Sequence, residues 1–129
     1  MKLNIDCMRD ILIEMEKAEY EEPLYLQRFY DALPKYSEDE INYSIVKLEE
    51  ARFIKATIKS HIGYDYTIVR LDDITYQGHQ FLANIRSDTI WNDVKEVSKK
   101  VGSNSLQAIS QIATAVITAI INNQLGFTP

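Results

Sequence analysis

The sequence predicts a mainly α-helical protein carrying one small β-hairpin, an α+β fold, and three observations predict it. Apolar residues recur at three- and four-residue spacing through residues 5–52. The spacing switches to strict alternation after Phe53, and helical spacing returns after Thr75. Read in order over residues 23–82, helix, turn, capped helix, strand, loop, strand and a Thr-initiated helix make the layout of a winged helix-turn-helix. Residues 1–88 are expected to form that core, and residues 89–129 a C-terminal helical extension used for packing or oligomerisation.

Ile5, Met8, Ile11, Leu12 and Met15 mark the buried stripe of the first helix, with Asp6, Asp10, Glu14 and Glu16 on its solvated side. Pro23 suits the first turn of a second helix, whose stripe is Leu26, Phe29, Tyr30 and Leu33 and whose stop is Pro34. Ser37-Glu38-Asp39-Glu40 reads as a capping box, and its extra acids suit the positive end of a helix dipole. Ile41, Ile45, Leu48 and Arg52 then share one side of the third helix; Asp39, Tyr43, Val46, Lys47 and Glu50 share the other.

Ile54, Ala56 and Ile58 alternate with Lys55, Thr57 and Lys59, the pattern of a strand with one buried face. A turn-prone stretch, Ser60-His61-Ile62-Gly63-Tyr64-Asp65, precedes a second strand from Tyr66 to Leu71, which Asp72-Asp73 should end. This hairpin is the candidate wing. Thr75 is a suitable N-cap for the helix holding Phe81, Leu82 and Ile85. A further helix over residues 89–101 is predicted from Ile90, Val94, Val97 and Val101, flanked by Trp91 and stopped by Gly102.

The last helix should run from about Leu106 to Gln124, and no Asp, Glu, Lys, Arg or His occurs from Val101 to Pro129. Gln107, Gln111, Thr114, Thr118 and Asn122 line one side of it, which argues against a membrane span. Its wide apolar side suits either the core of its own chain or self-association, so a homo-oligomer through the C-terminal helices is expected.

Net charge is −5 and uneven: residues 1–50 hold 6 Lys/Arg against 13 Asp/Glu, whereas the rest is close to neutral. Affinity for DNA comes mainly from neutralising phosphates, so any nucleic-acid surface must be local. A single cysteine, Cys7, excludes an internal disulfide, and its place in a helical stripe suits a packed thiol. Acids near the N-terminus interrupt any signal-like apolar run, so a cytoplasmic location is expected. The two histidines, His61 in the wing and His79 early in a helix, accompany no phosphate loop, nucleophile elbow or paired carboxylates. No catalysis, cofactor, metal or small-molecule substrate is expected. Tyr64 and Tyr66 could stack on a base or brace the hairpin.

Several segments resemble one family as a set. They are the opening Met1-Lys2-Leu3-Asn4-Ile5-Asp6-Cys7-Met8-Arg9-Asp10-Ile11-Leu12, then Leu33-Pro34-Lys35-Tyr36-Ser37-Glu38, and Ile74-Thr75-Tyr76-Gln77-Gly78-His79-Gln80-Phe81-Leu82 with Asn84-Ile85-Arg86 and Trp91. With Ser105-Leu106-Gln107-Ala108-Ile109-Ser110-Gln111-Ile112-Ala113, they resemble the small bacterial and phage proteins grouped as domain of unknown function 2513. The resemblance spans nearly the whole chain and carries no activity with it. A wider resemblance is to winged-helix regulators, in which Leu-Thr-x-x-Gly often follows the wing; here Ile74 replaces Leu, while Thr75 and Gly78 match.

That wider resemblance implies DNA contact through Asn42, Tyr43, Val46 and Lys47 of the third helix and Lys55, Lys59, His61 and Arg70 around the wing. The expected function is therefore a DNA-binding regulator of prophage type. Glu38-Asp39-Glu40 departs from the usual helix entering a major groove, and this motivates the alternative, a winged-helix module that binds a protein.

Overall fold

Asn4 begins the first element of the computed structural model, which describes residues 1–63 and 65–126. Its side chain accepts from the Cys7 N–H at 3.1 Å, capping α1 (Ile5–Glu16), and donates to Glu40 Oε2 at 2.9 Å. Glu40 is in turn half of the expected capping box of α3 (Glu38–Glu50): its N–H donates to Ser37 Oγ and its Oε1 accepts from the Ser37 N–H, both at 3.1 Å. One asparagine thus fastens the N-termini of two helices. The chain forms two compact units, Met1–His79 and Gln80–Pro129, and the division falls inside α4 (Tyr76–Ile85).

In the first unit, Met8, Ile11, Leu12 and Met15 of α1, Phe29 of α2 (Leu26–Ala32) and Ile41, Ile45 and Leu48 of α3 form a buried cluster. Burying each such side chain contributes about 1.5–3 kcal/mol. The second helix does not begin at Pro23. Leu24 is extended and exchanges two backbone hydrogen bonds with Leu71, at 3.0 and 2.7 Å, so α2 starts only at Leu26. A backbone paired across a sheet edge cannot also open a helix.

β1 (Ile54–Ser60) pairs antiparallel with β2 (Tyr66–Ile74), and β2 runs three residues past the expected end. The reason is a pair of register shifts, one between Lys55 and Ala56 and one between Thr57 and Ile58. Ile54, Ala56 and Ile58 are spaced by two, whereas their partners Ile74, Leu71 and Ile68 are spaced by three. Each bulge absorbs one extra residue of β2, so both apolar sets share one face. Ile68, Leu71 and Ile74 are accordingly buried, and Asp72 and Asp73 stay inside the strand but exposed.

The turn from α3 into β1 and from β2 into α4 is a single knot. After α3, Arg52 takes a left-handed conformation (φ 65°), with its N–H on the Glu49 carbonyl at 2.9 Å and the Phe53 N–H on Leu48 at 3.0 Å. This is the hydrogen-bond pattern of a Schellman stop, with arginine where glycine is usual. Thr75 then caps α4: its Oγ1 donates to the Arg52 carbonyl at 2.6 Å and accepts from the Gly78 N–H at 3.0 Å. Gly78 lies so close to the Phe53 carbonyl that an added Cβ would come within 2.0 Å of its oxygen. The Thr-x-x-Gly pair is the device that seats the start of the helix against the base of the hairpin.

In the second unit, α5 (Asp88–Val101) packs on α6 (Leu106–Gln124). Gly102 at φ 80° ends α5, and the Ser98 hydroxyl lies 2.8 Å from both the Ser103 carbonyl and Asn104 Oδ1. The inward line of α5 is Trp91, Val94 and Ser98, facing outward from which Val97 is 38 % and Val101 63 % exposed. The expected seam of Ile90, Val94, Val97 and Val101 is therefore only half used, because Trp91, the largest side chain, takes the inward position. No helix among the described residues is long and apolar enough to cross a membrane.

Between α1 and α2, Glu14 accepts from Lys17 at 3.0 Å and from Arg28 at 3.2 Å. Burial works to raise its pKa, but the two hydrogen bonds and cations outweigh it and hold the carboxyl below its usual value. A carboxyl depressed in the folded state stabilises it above the unfolded carboxyl pKa, and that stability is lost as pH falls through the folded value. Glu14→Gln should thus lower unfolding free energy at pH 7 and lose its deficit relative to the parent below about pH 4, as read by urea titration. Gly78→Ala should lower stability by about 3 kcal/mol or more, because backbone atoms must move to admit the methyl; thermal unfolding by circular dichroism measures it.

Candidate functional site

The capping box sets where α3 begins, and its 3.6-residue period then places Asn42, Tyr43, Val46 and Lys47 on the side away from Ile41, Ile45 and Leu48. All four are half-buried, not fully exposed. Asn42 Oδ1 accepts from the Tyr30 hydroxyl at 2.6 Å, which ties it to α2. Lys47 Nζ sits 2.9 Å from Glu50 Oε2 and 5.3 Å from the centre of the Tyr43 ring. The Glu50 hydrogen bond raises the lysine pKa against a small opposing effect of burial, with smaller contributions from Tyr43 and Tyr66. The side chains best suited to read bases or phosphates on this helix are already engaged.

The hairpin's outward face carries Lys55, Thr57 and Lys59 on β1, paired with Asp73, Arg70 and Thr67 on β2. Arg70 Nε lies 2.8 Å from Asp72 Oδ1, and Thr57 Oγ1 donates to the other oxygen of Asp72 at 2.8 Å. The bulge that turns Leu71 inward therefore also delivers a carboxylate to the arginine. His61 Nε2 is 2.7 Å from Thr67 Oγ1, across the loop end of the hairpin. Tyr66 is 43 % exposed; Tyr64 lies outside the described residues.

Among the sequence-predicted cations, Lys55 and Lys59 are exposed and have no acidic partner among the described residues, whereas Lys47 and Arg70 are paired. Arg52 joins the unpaired group. It is exposed, at the end of α3 and two residues before β1, and it was missed because the sequence offers no glycine there to mark a left-handed stop. With Lys55, it borders a shallow hollow of about 670 Å³ that also includes Glu49, Glu50 and Thr75.

A second cleft of about 520 Å³ lies where the α1–α2 connection passes the hairpin, lined by Glu19, Glu22, Lys55, Arg70, Asp72 and His79 among others. Both signs of charge mix along its walls. Among the described residues, no group of three or more His, Cys, Asp and Glu is placed to hold a metal ion.

A family model described as "Hypothetical protein (DUF2513)" matches residues 2–104, that is, α1 to α5 and the turn that follows. The chain belongs to the DUF2513 family. Over 122 residues it is 32% identical to a protein of Haemophilus influenzae (strain ATCC 51907 / DSM 11121 / KW20 / Rd) named "Uncharacterized protein". The match covers 94% of this chain and 99% of that relative. No solved structure matches. In this DUF2513 protein the family match ends just before α6, so the α3 and hairpin surface falls wholly within the shared part.

Cys7 is fully buried in α1, and burial pushes its thiol up to about 11, with Glu40 and Asp10 adding to the effect against a hydrogen bond to Ser44. Thiolate is the reactive form, so the native protein should resist a thiol-directed reagent at pH 8 and label at the rate of its unfolding. Stopped labelling read by mass spectrometry, with and without urea, measures this.

Proposed function

We propose that this DUF2513 protein is a non-catalytic winged-helix binding protein whose contact surface is the outer side of α3 with the hairpin, and that its partner is a protein with a cationic surface. The frame is supported by the order α1, extended Leu24, α2, α3, β1, β2, which is the winged-helix order with its first strand reduced to one bridging residue.

The choice of partner is carried by one observation. α3 bears five acids against a single lysine, and Glu50 neutralises that lysine. In a major groove, Glu38 and Asp39 at the leading end of α3 would meet phosphates and be repelled. Against a cationic protein the same carboxylates are complementary, and Tyr43 and Val46 supply apolar contact between them.

A second reading, duplex DNA, is favoured by unpaired Arg52, Lys55 and Lys59. It would bring the duplex to the hairpin with α3 held away from the groove. Self-association through the C-terminal helices is part of the proposal, supported by exposed Val97, Val101, Ile120, Ile121 and Leu125.

Two measurements separate the partners. Titration with labelled duplex at low salt should give no saturable binding at micromolar protein; tight binding that weakens steeply with salt and disappears in a Lys55→Glu/Lys59→Glu variant would establish the DNA reading instead. Capture of host proteins should fall about tenfold or more with Tyr43→Ala if the α3 face is the contact. Unchanged capture removes that face.

A further inference from the structure

Along α5, Ile90, Asp93, Val97 and Lys100 follow one another at 3-4-3 spacing, so they form one stripe on the helix surface, with Val101 beside its end. The stripe is not the buried one, since the buried residues of α5 are Trp91, Val94 and Ser98. Val97 and Val101 are exposed, Ile90 half-buried, and Asp93 and Lys100 are fully on the surface.

Their charges distinguish them from the rest of the helix. Lys99 sits 3.7 Å from Glu96, and Lys95 lies over the Trp91 ring, but neither Asp93 nor Lys100 has a charged partner among the described residues. Asp93 precedes Val97 by four residues and Lys100 follows it by three, so the two unpaired charges are about 10 Å apart with a valine midway.

We infer that this stripe is the seam of a two-fold symmetric dimer, in which α5 of one chain lies antiparallel to α5 of a second copy, Val97 meets Val97 at the axis, and each Asp93 pairs with the Lys100 of the other chain. This rests on the self-association part of the function proposed above and specifies its geometry.

The charge order selects both occupant and direction. A second copy presents the same Asp–Val–Lys order, and reversing it aligns each charge with its opposite. Parallel pairing would set Asp93 against Asp93 and Lys100 against Lys100, which is repulsive. The exposed apolar residues of α6, by contrast, lie in a segment with no charge at all, so they can add area but cannot set register. A helix of 14 residues spans only about 21 Å, which places the interface at the small end of specific contacts. The dimer should therefore depend on concentration, with a dissociation constant on the order of 10 μM.

Sedimentation equilibrium on the full chain tests this from about 1 to about 200 μM. The parent should pass from monomer to dimer across that range. Asp93→Lys alone, and Lys100→Asp alone, should each weaken dimerisation about tenfold or more, since each sets two like-charge contacts across the axis. Mixing the two single variants should restore dimer, because one chain then presents only lysines and the other only aspartates. Both residues are exposed, and an unchanged melting curve verifies that the variants remain folded. A parent that stays monomeric throughout overturns self-association as a whole. A parent dimer that neither single variant weakens, or a mixture that stays monomeric, overturns the α5 seam while leaving self-association standing.

Discussion

The start of α4 depends on the close approach of Gly78 to the Phe53 carbonyl. Three elements meet there: α3 stops just before Arg52, β1 starts just after Phe53, and α4 starts just after its cap, Thr75. The Thr75 hydroxyl uses both its capacities at this point, donating to the Arg52 carbonyl and accepting from the Gly78 amide. A side chain at residue 78 would push the start of α4 away from the Phe53 carbonyl. The contact ties the start of α4 to the turn that joins α3 to β1.

Charge on that surface is governed by neighbours more than by composition. The two β-bulges that bring Ile68, Leu71 and Ile74 to one face leave Asp72 on the other, where it takes the Arg70 guanidinium and the Thr57 hydroxyl. On α3, Glu50 does the same to Lys47 from three residues away. Exposed ion pairs of this kind stabilise the fold by at most about 1 kcal/mol. Their larger consequence is electrostatic: they remove two cations from the set available to an anionic partner, and they leave the acids of α3 as its dominant feature.

The second unit solves a different packing problem. Trp91 and Val94 face inward with Ser98, whose hydroxyl is met by the turn after α5. This orientation turns Val97 and Val101 outward with Asp93 and Lys100, a stripe of alternating apolar and charged residues that is complementary to its own reverse. The family match extends through this helix and stops before α6, so the stripe belongs to the part that the family shares.

Helix and strand identity were legible in the sequence because they depend on local periodicity and capping: the Ser37–Glu40 box, the alternation after Phe53, the Thr75 cap and the Leu106–Gln124 helix all follow from residues within a turn or two of one another. What the tertiary structure decided is everything that needs a partner far along the chain. Leu24 is extended because Leu71 lies beside it, β2 continues through two aspartates because bulges reset its register, and Arg70 is neutralised because the same bulge brings Asp72 to it. Periodicity can assign a residue to a face, but the neighbour that completes or neutralises it is set by chain crossings that spacing alone does not encode.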